Sequence, residues 1–386
     1  MQATHGSRAA IARVAALLTI MYVGATLPTP LYPLYRQAFG FGAVTLTLVY
    51  AIYVLGNLAA LLLCGRLSDQ FGRRRTALPA ALVGLASALV FAVAAGTGWL
   101  FVARVLSGFA TGLAAGATTA WITDLSAGDA LAATFASAAN LAGLTLGPLL
   151  AGVLAQYAPW PLRLSYLVYA ALLLIGMAAV WRARETVALH GGGAFTLRPR
   201  LGVPKGLRLR FLAPAFAAFA TFALLGFYAA LVPGLLAGSL HQRGPLTAGL
   251  VVAGLFLVAT LTTLLGRRLG GLAAMRSGLA LMLPALALLV AAEAWQSMVL
   301  LALATLLSGI AAALGYRGSL QAINALAPER QRGEVVSSYL VACYLGNSLP
   351  VIGIGGLEAV TGPFVAHLAF ATVIAVLALA AVASAR

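Results

Sequence analysis

Apolar residues run along this chain in long, nearly continuous stretches, and the polar positions gather in short knots between them. Twelve apolar runs can be drawn, at residues 9–35, 43–64, 76–96, 98–121, 131–155, 162–182, 211–238, 247–266, 272–293, 297–318, 334–358 and 363–384. Each is about as long as the 20 residues that a helix needs to cross roughly 30 Å of hydrocarbon. The runs lack the period-two alternation of a barrel strand with one face to lipid and one to a lumen. In lipid every backbone N–H and C=O must find its partner inside the element, so these runs predict helices. The first run is too long for the core of a signal peptide and no small-residue cleavage site interrupts it cleanly, which predicts a retained first helix. The expectation is an all-α membrane protein of twelve transmembrane helices.

Composition sharpens this picture. Of 386 residues, 62% are hydrophobic and 8% charged, against about 25% charged in a soluble domain. The net charge of +16 would suit nucleic acid, but the basic residues punctuate the apolar runs and form no amphipathic surface able to track phosphates. They report topology instead. With a cytoplasmic N-terminus, the inner segments collect twenty Lys and Arg residues and the outer segments only Arg36, Arg163 and Arg243. The positive-inside rule therefore predicts both termini in the cytoplasm, in a cell membrane of bacterial inner-membrane type. The two cysteines, Cys64 and Cys343, sit within or at the edge of apolar runs far apart in sequence, and read as small buried hydrophobes.

The longest polar segment, residues 183–210, holds six Lys or Arg residues, Gly191 to Gly193, Pro199 and Pro204. It divides six runs from six, giving an expected N-terminal bundle at 1–185, a cytoplasmic linker at 186–210 and a C-terminal bundle at 211–386. Three landmarks support a repeat of the halves. Ser107-Gly108 matches Ser308-Gly309 and Gly65-Arg66 matches Gly266-Arg267, both at an offset of 201, while Pro148 matches Pro350 at 202. Such parallel repeats are a recurrent plan of secondary transporters.

The densest polar knot is GRLSDQFGRRR, residues 65–75, with one carboxylate among four arginines. Gly65 and Gly72 allow close backbone approach. Asp69 at a membrane boundary can accept from a neighbouring Arg or from a helix N-terminus. The stretch resembles the signature between helices 2 and 3 of the major facilitator superfamily, G-x-x-x-D-[RK]-x-G-[RK]-[RK]. Gly65, Asp69, Gly72, Arg73 and Arg74 fit it, and Gln70 departs from it. The resemblance covers nearly the whole chain. It implies a twelve-helix fold of two six-helix bundles and a conformational gate on the cytoplasmic side, with Asp124 as partner of Arg73. The second-half counterpart, GRRLGGLAAMR, has Gly270 where the carboxylate would stand.

Further patterns carry the resemblance inward. Arg104, in RVLSG, resembles the family's R-x-x-x-G pattern. A guanidinium at that depth costs about 2.5–3.5 kcal/mol, so it should face the bundle interior or water. Residues 143–152, GLTLGPLLAG, resemble the pattern of antiporting members through Gly143, Gly147, Pro148 and Gly152, although close helix packing alone would also use them. The first run carries Pro28, Pro30 and Pro33, as in drug-exporting members, but has Tyr22 and its neighbours where those often place an acid.

No Asp or Glu stands at the midplane of any run: Asp69, Asp124, Asp129, Glu329 and Glu334 are expected inside, Glu185 opens the linker, and Glu293 and Glu358 lie near outer ends. This disfavours strongly cationic cargo. It leaves Arg104, Glu358 and His367 as proton-coupling candidates. A central cavity would draw on Tyr22, Thr26, Tyr53, Asn57, Thr111, Asn140, Phe227, Tyr228, Tyr344 and Asn347. Zinc-type His spacing, a nucleophile elbow and a P-loop are lacking, so no enzyme activity, cofactor or metal is expected. The expected function is secondary active transport, by proton-coupled efflux of small hydrophobic or amphipathic compounds. Uptake of a sugar or other metabolite, and a non-transporting sensor or scaffold on the same fold, stay open. The partners implied are a small-molecule substrate, protons and the bilayer, and the family resemblance implies a monomer.

Overall fold

The computed structural model describes residues 2–126, 130–187, 201–266 and 269–384, with side chains described except at 2–7 and 130–134. Asp129, Arg198, Arg267, Arg268, Arg386 and the body of the linker with Gly191, Gly193, Pro199 and Arg200 lie outside the described residues. Among the described residues twelve helices are long and apolar enough to span a membrane. In chain order they are α1 (Arg8–Phe39), α2 (Ala43–Cys64), α3 (Arg73–Ala92), α4 (Thr97–Leu125), α5 (Phe135–Tyr157) and α6 (Leu164–Trp181). The second six are α7 (Lys205–Ala230), α8 (Pro245–Leu265), α9 (Gly271–Ala294), α10 (Met298–Leu326), α11 (Glu329–Thr361) and α12 (Pro363–Ser384).

Departures from the expected spans have local causes. Regular helix in α1 stops at Thr26, followed by a single 3-10 turn, Thr29–Leu31, before helix resumes at Tyr32–Phe39. Pro28 and Pro30 lack the N–H that would continue the helical ladder. The expected run 211–238 divides in the same way, into helix through Ala230 and a short helix Val232–Gly238 with Pro233 near its start. Helix α10 continues to Leu326, beyond the apolar run that ends at 318, and Arg317 within it donates to the carbonyls of Gly266 and Leu269.

The chain forms two compact units. One comprises Met1–Leu31 and Ile52–Pro199, the other Tyr32–Ala51 and Arg200–Arg386. The far part of α1 and the first turns of α2 thus group with the second unit. There Tyr50 donates to Asn347 Oδ1 at 3.0 Å, and Thr47 lies against Gly355, where a Cβ would stand 2.2 Å from its hydroxyl.

Small residues set the helix spacing within each unit. At Gly108 in α4, a Cβ would lie 2.0 Å from the Tyr53 carbonyl oxygen of α2, and at Gly309 in α10, 2.8 Å from that of Leu255 in α8. The repeat seen in sequence is therefore a repeated close contact, glycine on the fourth helix of a half against backbone of the second. Such contacts are how helices associate where lipid removes the hydrophobic drive between them. The outward faces carry exposed aliphatics such as Leu55, Ile175 and Val376, as a lipid-facing surface should.

Candidate functional site: a polar gate and two buried clusters

The knot at residues 65–75 folds as a short helix, Leu67–Phe71, joined to α3 through Gly72 at φ +104°, a left-handed conformation that favours glycine. This bend aims Arg73 back across the loop. Its Nε donates to Asp124 Oδ2 of α4 at 2.9 Å and its Nη1 to Ser68 Oγ at 2.8 Å, and it pairs with Asp69. The Arg73 side chain is 12% exposed, against 63% for Asp69 and 33% for Asp124. A forked guanidinium that is mostly sheltered thus holds two carboxylates nearer water, a geometry lysine cannot reproduce.

A third carboxylate joins this network. Glu185, placed by sequence at the start of the linker, accepts from the backbone N–H of Arg73 at 2.7 Å and of Arg74 at 3.1 Å. The first N–H groups of a helix have no partner inside it and sit at the positive end of its dipole, so a carboxylate there is doubly favoured. Arg74 reciprocates by donating to the carbonyls of Trp181 and Ala183, and Trp121 Nε1 donates to that of Arg184 at 3.0 Å. The loop between α2 and α3, the end of α4 and the chain leaving α6 are tied in one network inside the first unit. Its second-unit counterpart has Arg317 on α10 grasping loop carbonyls in place of the carboxylate latch.

Deeper in the first unit lies Arg104, 1% exposed on α4. Its Nη1 donates to the Ala25 carbonyl at 3.1 Å, and its guanidinium carbon lies 4.5 Å from the centre of the Tyr53 ring. Ser107 reaches the neighbouring Gly24 carbonyl at 3.5 Å. These acceptors are available because Pro28 offers no N–H to Gly24 and the helix ends at Thr26. Proline in the first span and arginine in the fourth are therefore two halves of one device. Asn57 donates to Tyr53 at 3.2 Å while its own Oδ1 is buried without a hydrogen-bond partner, and Thr111 is bonded to the Ser107 carbonyl.

The glycine pattern of α5 lies against α1. A Cβ at Gly143 would meet the Thr19 carbonyl oxygen at 2.3 Å, and one at Gly147 the Thr26 hydroxyl at 2.4 Å. Thr26 also donates to the Leu144 carbonyl at 3.2 Å. Pro148 and Gly152 are buried, and Tyr22 and Asn140 are half-buried.

In the second unit Tyr344 meets Phe222 edge-on, Asn347 accepts from Tyr50, and Tyr228 is fully buried. Phe227 is fully buried too, its ring edge-on to His367 and stacked on Phe370. Glu358 is half-buried near the end of α11. The cluster that sequence reasoning missed is Glu293 with His367, whose Oε2 and Nδ1 are 2.7 Å apart in the interior. No local signal marks it, because the partners are 74 residues apart and Glu293 stands at the end of an apolar run. Among the described residues no group of three or more His, Cys, Asp or Glu side chains is arranged to hold a metal.

Comparison with known proteins follows the same lines. A family model described as Major Facilitator Superfamily matches residues 14–351. A lincomycin resistance protein of Streptomyces lincolnensis is 32% identical over 199 residues, 49% of this chain and 40% of that protein. A facilitated glucose transporter of Mus musculus is 34% identical over 28% of this chain and 20% of its own length. A multidrug resistance protein of Bacillus subtilis is 22% identical over 44% of this chain and 43% of its own length. The chain thus spans less than half the length of each of these curated relatives. Among solved structures, a bacterial homologue of the lysosomal transporter Spinster superimposes with a TM-score of 0.70 at 18% identity, covering 98% of this chain and 94% of that one. A nucleoside transporter superimposes at 0.76 and 17% identity, covering 98% and 99%. At such identities the likeness speaks for fold alone.

Proposed function

This chain belongs to the Major Facilitator Superfamily, and from that premise we propose that it exports small hydrophobic or amphipathic compounds by alternating access, driven by protons moving the other way. It is a multi-pass membrane transporter and not an enzyme. The observation that carries the export reading is the joined device of α1, α4 and α5. The proline break in α1 frees backbone carbonyls, Arg104 binds one of them, and the glycines of α5 seat the same stretch of α1. A buried cation fastened to carbonyls at a helix break is a movable contact, able to exchange its partners during a cycle. The relatives named for lincomycin and multidrug resistance agree with this direction of transport. The cavity candidates, from Tyr22 and Tyr53 to Asn57, Tyr344 and Asn347, are aromatic and amide groups, suited to cargo with a large apolar surface and few polar atoms.

The proposal also takes the two six-helix halves as the moving bodies, both termini as cytoplasmic and the monomer as the working form. The gate at Asp69, Arg73 and Asp124 then stands on the cytoplasmic side. The test is a susceptibility panel on cells with and without the full chain, with lincomycin as the first probe. Raised tolerance that disappears in Asp69→Asn, with the variant still inserted, supports export. A second reading, uptake, is favoured by the resemblance to a glucose carrier; labelled glucose accumulation with no change in drug tolerance would replace the first reading by that one.

A further inference from the structure

The gate and the Arg104 cluster leave unused a buried acid and base in the second unit. Glu293, in the last turn of α9, is 6% exposed and is the one buried carboxylate among the described residues. Its Oε2 lies 2.7 Å from Nδ1 of His367, near the start of α12, and Ser239 Oγ donates to its Oε1 at 2.8 Å. Phe227 of α7 closes the other side of the imidazole, with ring centres 5.1 Å apart. Three segments, the chain after Val232–Gly238, the end of α9 and the start of α12, converge on one carboxylate.

This cluster is buried but not sealed. A pocket of about 540 Å³, wide open to the surface, borders Glu293 and is lined also by Ser239, His241, Gln296, Thr361 and Phe364 at the end of the unit where α9 finishes and α12 begins. Of these lining residues, His241, Gln296, Thr361 and Phe364 are exposed. The carboxylate thus lies at the edge of water-accessible space.

Protonation changes what the cluster is. With one proton between imidazole and carboxylate, beyond the N–H that any neutral ring retains, the pair has no net charge and the Nδ1 to Oε2 hydrogen bond persists. Without that proton the pair carries one negative charge, and with a further one it carries one positive charge. In apolar surroundings these states differ strongly in desolvation, so occupancy must be linked to how tightly the three segments close around the pair. The ionisable groups carried by surrounding elements are His241 and Arg243 on the loop after Ser239, Glu358 three residues before Thr361 in α11, Tyr228 beside Phe227, and Arg36 on Tyr32–Phe39, which packs against Val232–Gly238. The first turns of α10 carry none. Among the described residues the salt bridges of the pair are confined to Glu293 with His367.

We propose that Glu293 and His367 form a proton-binding site loaded through this cavity, separate from Arg104 and the gate. Its use as the place where the driving proton boards rests on the proton-coupled reading above. With the orientation proposed there, the cavity opens to the outside, the side from which a driving proton enters.

Infrared difference spectroscopy of the full chain in nanodiscs, across a wide pH series, tests the site with protons as the only ligand. The wild type should show a carboxyl protonation change that Glu293→Gln removes, His367→Gln moves to another pH and Glu329→Gln, at an exposed carboxylate, leaves in place. A signal unchanged in Glu293→Gln, or no carboxyl change in the wild type, overturns the site. Should Glu293→Gln fail to insert, His367→Gln and Ser239→Ala keep the carboxylate and must each shift the midpoint; an unmoved midpoint in both overturns it equally. No cargo is present, so absence of drug export would sink the transport reading alone. Acid-driven export that persists in Glu293→Gln would sink the coupling role and leave export standing.

Discussion

Arg73 is the residue on which the proposed gate turns. It engages Asp124 through Nε and both Ser68 and Asp69 through Nη1 of one guanidinium, and its own backbone N–H is held by Glu185. Because Asp69 is 63% exposed, solvent screens the pair, and exposed pairs contribute only about 0.2–1 kcal/mol to stability. Asp69→Asn should therefore leave insertion and thermal stability nearly unchanged while reducing flux at least about tenfold, the change expected if the gated state is shifted by about 1.4 kcal/mol. Paired melting curves and transport rates in proteoliposomes check both halves. Glu185→Gln removes the charge at the start of α3 and should lower stability by about 0.3–1 kcal/mol, the usual worth of a carboxylate at a helix N-terminus, seen as a lower melting temperature in detergent. Asp69 and Arg73 stood out in sequence because they belong to a pattern with fixed spacing, and Asp124 was implied by the family resemblance. Glu185 and Glu293 were not, since their roles come from partners 112 and 74 residues away.

At the scale of helices, spacing is written in glycine. Gly108 and Gly309 touch backbone of the second helix of their own half, whereas Gly116 on the same α4 meets nothing within 4 Å. Gly108→Ala and Gly309→Ala should each destabilise by about 1–3 kcal/mol, as overpacking does. Gly116→Ala should be neutral or gain up to about 1 kcal/mol through helix propensity. Unfolding of the three variants in one detergent distinguishes contact from composition. The number and placement of the spans were legible from apolar runs alone. The breaks in α1 and α7 were less so: prolines marked them, but which turn would yield depends on what receives the freed carbonyls. For α1 those receivers are Arg104 and Ser107 of a different span.

For the molecule as a whole, the sequence repeat and the repeated glycine contact describe one architecture built twice and then differentiated. The first half carries the Asp69, Arg73 and Asp124 cluster, whereas the second has Arg317 on loop carbonyls and the Glu293 and His367 pair. Arrangement of charge along the loops predicts cytoplasmic termini. A fluorescent reporter that folds only in the cytoplasm should light up when fused after Arg386, and a periplasm-dependent phosphatase placed there should be inactive. The central claim is export driven by protons, and substrate-linked proton movement in everted vesicles holding the full chain tests it most directly. With an acidified lumen, lincomycin or a neutral amphipathic compound should raise lumenal pH in the wild type and fail to do so in Asp69→Asn. A lumen that stays acid with every such compound, while labelled glucose or a nucleoside moves through the protein, would contradict the account.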